Sequence, residues 1–335
     1  MSPPPVPLAP WIAQQRDQLL AQRGHAWLLQ GPAGLGQYAL ALELVRAWLC
    51  DAPSPQGACG QCASCHGIAV HTHADLCLLL PETTALALGW PLSEKAQAEI
   101  DDKKRKPSRE IRIEAMREAV EFAQRTSGRG RGKAVLIYPA EQMNHVTANA
   151  LLKTLEEPAG DMRFVLATEA AHALLPTIRS RCLGHTMLWP QPEAARQWLI
   201  DCGVAAPDTP AWLRAAGARP YEALALAQSG RSPQAWGQIP QAMARGEAAA
   251  LADFEPVQAV QVLQKLCHDL LAQSQGAAPR FFTAAELPPA HSLAALTRWW
   301  RALVQHARSA EHPFHPALML EALAAQARQA INSRA

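Results

Sequence analysis

Apolar and polar positions change period several times along the chain. Residues 11–23 (WIAQQRDQLLAQR) place apolar side chains at helical spacing, and His25–Gln30 (HAWLLQ) is a short apolar run of strand type. That run enters a glycine turn, Gly31–Gly36, followed by a predicted helix with apolar positions Leu40, Leu42, Leu44, Val45, Trp48 and Leu49. Further strands are predicted at 75–80 (DLCLLL), 134–138 (AVLIY) and 164–168 (FVLAT); continuous apolar character marks the last two as buried on both faces. Helices are predicted over 111–125, with Ile111, Ile113, Met116, Val120 and Phe122 inward, and over 147–156, where Pro158 stops the run. Strands alternating with helices over 25–185 predict a parallel sheet. Residues 82–109 interrupt the alternation with a loose apolar patch and then DDKKRKPSR, and are expected to form an excursion or flexible loop.

Beyond Pro190 the chain turns Ala-, Leu- and Gln-rich. Pro207, Pro210, Pro220, Pro233 and Pro240 punctuate its first part, and amphipathic helices are predicted near 256–273, 291–309 and 316–331. Leu263, Leu266 and Leu270, then Leu296, Trp299 and Leu303, recur at spacings of three and four. No internal repeat or low-complexity tract is present.

At 335 residues the chain predicts two or three domains, and 49% hydrophobic residues exclude disorder for most of it. A net charge of +2 is too mild to name a nucleic-acid binder. The runs Lys103–Lys106 and Arg125, Arg129, Arg131 and Lys133 could contact phosphates but are read as solvated loops. No run approaches the ~20 apolar residues of a membrane helix. The opening MSPPPVPLAPW lacks a basic stretch followed by an apolar one, so no export signal and a cytoplasmic location are expected.

Four of the eight cysteines, Cys50, Cys59, Cys62 and Cys65, crowd into one short segment. Without an export signal the spacing favours metal over disulfides. Four thiolates suit a tetrahedral structural zinc. An iron–sulfur cluster is the rival, for which Cys77 is badly placed as a ligand. His66, His71 and His73 are read as loop or core residues. The turn GPAGLGQY has the glycines of a phosphate-binding loop at Gly31, Gly34 and Gly36. Gln37 stands where such loops carry the phosphate-binding Lys, and Tyr38 where they carry the metal-binding Ser or Thr. The following apolar strand, expected to end in a metal-binding Asp, runs into Tyr138, Pro139, Ala140 and Glu141 instead. Two independent losses predict a loop that does not hydrolyse ATP.

The ordered set GPAGLG, C-x8-C-x2-C-x2-C, AEQMN, ANALLKTLEEP, FVLAT and Ser180-Arg181-Cys182 resembles bacterial DNA polymerase III clamp-loader subunits of the AAA+ family. The lost catalytic positions match the delta-prime subunits, and an active motor subunit of the gamma/tau kind is the alternative. The resemblance implies an α/β AAA+ P-loop-type domain with a parallel sheet over 1–188, carrying the zinc module at about 50–65. It implies a small helical lid over 189–230 and an all-α collar, an oligomerisation domain, over 231–335. Arg181 is implied to be an arginine finger acting in trans on ATP held by a neighbouring motor subunit. The implied partners are gamma/tau motor subunits, the delta subunit, the sliding clamp and primed DNA. The implied cofactor is zinc, with no ATP. The implied setting is DNA replication, as an accessory of a DNA-directed DNA polymerase, a nucleotidyltransferase, with no catalysis of its own expected.

Overall fold

The computed structural model describes residues 6–289, 292–309 and 315–333. The first residue of the helix predicted over 291–309 lies outside them. The chain divides into two compact units, 1–194 and 195–335.

The elements of the first unit are α1 (Pro10–Leu20), β1 (Ala26–Gln30), α2 (Gln37–Leu49), α3 (Ala63–Ala69), β2 (Leu76–Leu79), α4 (Glu82–Ala87), α5 (Glu94–Asp101), α6 (Ile113–Gln124), β3 (Lys133–Ile137), α7 (His145–Glu156), β4 (Met162–Thr168), α8 (Pro176–Arg179) and β5 (Leu183–Thr186). The strands form one parallel sheet in the order β2-β3-β4-β1-β5, with Leu28 opposite both Leu166 and Gly184. Alternate strand residues serve opposite faces. Leu28, Val135, Ile137, Phe164 and Leu166 join Met116 of α6 with Leu151 and Leu155 of α7 in one core cluster. The buried Trp27, Leu29, Ala134 and Leu136 alternate with them. Trp27 meets Trp48 of α2 with ring centroids 5.2 Å apart.

Residues 82–109 differ from the flexible loop expected of them. They hold α4 and α5, closed by an ion-pair cluster on Arg105. Its Nε donates to Glu99 at 2.7 Å and its Nη2 to Glu82 at 2.8 Å, while Glu82 also accepts from the Ser108 amide at 2.7 Å. The basic run therefore turns one of its charges inward, and partly buried ion pairs of this geometry order a segment whose composition reads as loop.

The glycine loop after α6 is likewise tied down. The buried Asp75 accepts from Ser127 Oγ at 3.0 Å, the Gly128 amide at 2.7 Å and the Arg129 amide at 3.0 Å. Buried Lys133 donates to the carbonyls of Phe122 and Ala123, each at 2.7 Å, capping the end of α6.

The second unit is helical: α9 (Pro192–Asp201, begun in the first unit), α10 (Thr209–Ala215), α11 (Pro220–Gln228), α12 (Pro233–Arg245), α13 (Pro256–Ser274), α14 (Leu293–Ser309) and α15 (Pro316–Asn332). Leu263, Leu266, Leu270, Leu296, Trp299 and Leu303 are all buried, as their spacing predicts. Lys265 of α13 donates to Glu222 of α11 at 2.6 Å and to the Ala215 carbonyl at 2.9 Å, joining α10 and α11 to α13.

Candidate functional site

Three groups of residues in the first unit carry chemistry. The four cysteines come together where α2 ends and α3 begins. Cys50 follows the last turn of α2, and Cys62 is the N-cap of α3. All four Sγ atoms lie within 4.8 Å of one another, with Cys50–Cys65 at 3.7 Å, Cys50–Cys62 at 3.8 Å and Cys59–Cys65 at 4.0 Å. A tetrahedral ion with metal–sulfur bonds of ~2.3 Å has sulfur–sulfur edges of ~3.8 Å, so the donor set fits a structural metal. Backbone amides are aimed at the sulfurs: Cys59 N to Cys50 Sγ at 3.2 Å, and Asp51 N and Cys65 N to Cys62 Sγ at 3.4 Å each. Burial raises the pKa of Cys50 and pushes Cys65 up to about 12. Hydrogen bonds from the Gln61 and Cys62 amides bring Cys59 down to about 6. Ionising the buried Cys50 and Cys65 as ligands therefore calls for a cation beside them to offset the cost of burying their charge. None of the three nearby histidines joins the cluster. His66 is exposed, His71 stacks on Trp90 at 3.8 Å, and His73 Nδ1 accepts from the Asp75 amide at 3.1 Å.

The phosphate-type loop keeps its shape, with Gly34 and Gly36 at φ of 85° and 99°, values that favour glycine. Gln37, almost fully buried, turns back into the loop. Its Nε2 donates to the carbonyls of Gly31 at 2.7 Å and Pro32 at 2.8 Å. The Tyr38 hydroxyl accepts from Trp90 Nε1 at 2.5 Å, and its ring packs 5.4 Å from that of Tyr138. The Tyr138 hydroxyl donates to Glu169 at 2.8 Å. Burial and the carboxylates of Glu169 and Glu141 hold the Tyr138 hydroxyl far above its ordinary pKa. Glu141, the acidic residue beyond β3, accepts from Thr168 Oγ1 at 2.7 Å and from the Glu169 amide at 3.0 Å. The positions that bind phosphate and metal in an active loop are thus bonded to the protein's own groups.

The third group is the SRC tripeptide, which follows α8. Arg181 Nε donates to Glu156 at 2.6 Å and Nη1 to the Thr177 carbonyl at 2.9 Å; Nη2 also reaches Glu156. Arg179, two residues earlier, is exposed. Sequence spacing gave no sign of Glu156 as the partner of Arg181, nor of Trp90 as the partner of Tyr38, because both pairs are remote in the chain.

A model of the family described as DNA polymerase III, delta subunit, matches residues 13–188. The chain is 41% identical over 204 residues to DNA polymerase III subunit delta' of Pseudomonas aeruginosa, covering 60% of this chain and 54% of that protein. It is 34% identical over 225 residues to subunit delta' of Escherichia coli K12, covering 65% and 60%. The chain therefore spans between half and two thirds of the length of these relatives. In fold it is similar to a DNA polymerase III gamma subunit-related protein of Thermotoga maritima, with a TM-score of 0.50 at 14% identity, covering 96% of this chain and 99% of that one.

Proposed function

The chain belongs to the DNA polymerase III delta subunit family, and from that premise we propose that it is a delta-prime-type, non-motor subunit of a clamp loader. In this role it assembles with gamma/tau motor subunits and a delta subunit and helps place a sliding clamp on primed DNA. One pairing of features carries the proposal: an arginine in SRC is retained on a chain whose own phosphate-type loop is bonded to itself. Gln37 spends its amide on Gly31 and Pro32, and Tyr38 and Pro139 offer no metal ligand. Arg181 then has no triphosphate of its own to serve and acts in trans, on ATP held by a neighbouring motor subunit. A planar guanidinium against the γ-phosphate spreads its donors over the charge of the transition state. The four-cysteine cluster holds a structural zinc. The helical residues over 189–230 and 231–335 serve as lid and collar, the collar giving the assembly its contacts.

The test is reconstitution with motor and delta subunits, reading clamp- and DNA-stimulated ATP hydrolysis. Arg181→Ala should fold, hold zinc and assemble, yet lower hydrolysis and clamp loading. Arginine fingers contribute about 10³–10⁵ in rate in GTPases; with several ATP sites in the assembly and one affected, total turnover falls far less. Arg181→Lys should not rescue it, because an ammonium lacks the planar fork. Arg179→Ala should match the unmodified chain. Unchanged hydrolysis with Arg181→Ala would leave SRC as no more than a helix end.

A further inference from the structure

We propose that Glu156 is a resting clasp for Arg181: it parks the guanidinium on its own subunit until a phosphate oxygen of the neighbour's ATP displaces it. This rests on the trans role proposed above for Arg181 and adds to it a residue that sets when the finger is free.

Two observations carry it. First, nearly every donor of the guanidinium is engaged within the chain. Nε and Nη2 both reach Glu156 Oε1, the former at 2.6 Å, while Nη1 donates to the Thr177 carbonyl at 2.9 Å and to Ser180 Oγ at 3.4 Å. A finger held this way cannot meet a phosphate without letting go of Glu156. Second, Glu156 gains nothing from its own helix. It is the last residue of α7, where a carboxylate meets the negative end of the helix dipole, and Glu157 follows it directly. Its placement is accounted for by Arg181.

The clasp is built to open. The Arg181 and Glu156 side chains are 33% and 46% exposed, so water competes for both and the pair is weak. A phosphate offers charge-assisted, bidentate bonds to the same donors. The exchange replaces one anion by another, so the guanidinium never stands unpaired. Glu156 is thus a positioning residue, acting through Arg181.

The experiment uses the full chain reconstituted with motor and delta subunits, clamp and primed DNA, with ATP titrated. The quantity followed is the part of hydrolysis that Arg181→Ala abolishes. Glu156→Gln keeps the size and helix preference of the side chain and removes its charge. It should lower the ATP concentration at half-maximal rate by about two- to fivefold, the effect of losing an exposed ion pair, with maximal turnover unchanged. Glu157→Gln should not, and Glu156→Gln should do nothing further on top of Arg181→Ala. If Arg181→Ala lowers hydrolysis while Glu156→Gln leaves half-saturation unchanged or raises it, the finger stands and the clasp is wrong. If Glu156→Gln acts equally without Arg181, its effect bypasses the finger and the clasp is again wrong. If Arg181→Ala changes nothing, the trans role fails and the clasp fails with it.

Discussion

Zinc affinity of the four-cysteine cluster should fall steeply with acid, with a slope set by the thiols that carry protons before metal arrives. Burial holds Cys65 at about 12 and raises Cys50 above its ordinary value, while the Gln61 and Cys62 amides bring Cys59 down to about 6. At about pH 7–8 the metal-free cluster therefore has protons on Cys50 and Cys65, and Cys59 is already largely thiolate. The metal-bound form carries none, so binding releases at least the two protons of Cys50 and Cys65. Each released proton changes apparent affinity about tenfold per pH unit, so affinity should rise by at least about 100-fold per unit as pH rises, and weaken as it falls. Below about pH 6 Cys59 protonates as well and the slope gains one further proton. Competition against a chromophoric chelator calibrated at each pH measures this on the full chain. A slope of four protons near neutrality would show that the backbone amides do not pre-ionise Cys59. A slope of one or less would show that the buried thiols are not the ligands, and iron in carefully prepared protein would overturn zinc itself.

Two further outcomes follow from the loop and its neighbour. Gln37→Lys should still give no micromolar ATP binding by calorimetry, because Tyr38 and Pro139 leave the metal without ligands; restored tight binding would show that one side chain held the loop shut. Trp90→Ala should destabilise the first unit by about 3–5 kcal/mol in urea unfolding, the usual cost of truncating a buried Trp; a loss under about 1 kcal/mol would mean that residues 82–109 do not pack as described.

The sheet was legible because its strands are continuous apolar runs separated by helical periodicity, a pattern only a sheet covered on both faces requires. The four-cysteine cluster was legible because the cysteines are near neighbours in sequence. What spacing hid are pairings between distant residues. Glu82 reaches Arg105 across 23 positions, and Asp75 reaches the 127–129 turn across 52 to 54. Read locally, both basic segments are solvated charge; in the fold, Arg105 and Lys133 are structural. The pairing of Arg181 with Glu156 was not legible, since Glu156 lies 25 residues before it.

The same pairing of partners bears on how a phosphate-type loop with Gln37 and Tyr38 in place of the Lys and hydroxyl satisfies its polar groups. In an active loop the Lys and the hydroxyl are satisfied by phosphate and metal, and removing the ligand leaves polar groups facing an empty cradle. Each buried group left unpaired costs about 1–3 kcal/mol. Here Gln37 answers two loop carbonyls, Trp90 answers the Tyr38 hydroxyl, Glu169 answers Tyr138, and Glu141 answers Thr168 and the Glu169 amide. These side chains pair with one another and with the loop's own carbonyls, so the polar groups around the loop are satisfied within the protein. A loop satisfied in this way needs no nucleotide to pair these groups. In the proposed assembly the group of this domain that answers to nucleotide is the half-exposed Arg181, held by an ion pair weak enough for a phosphate to break.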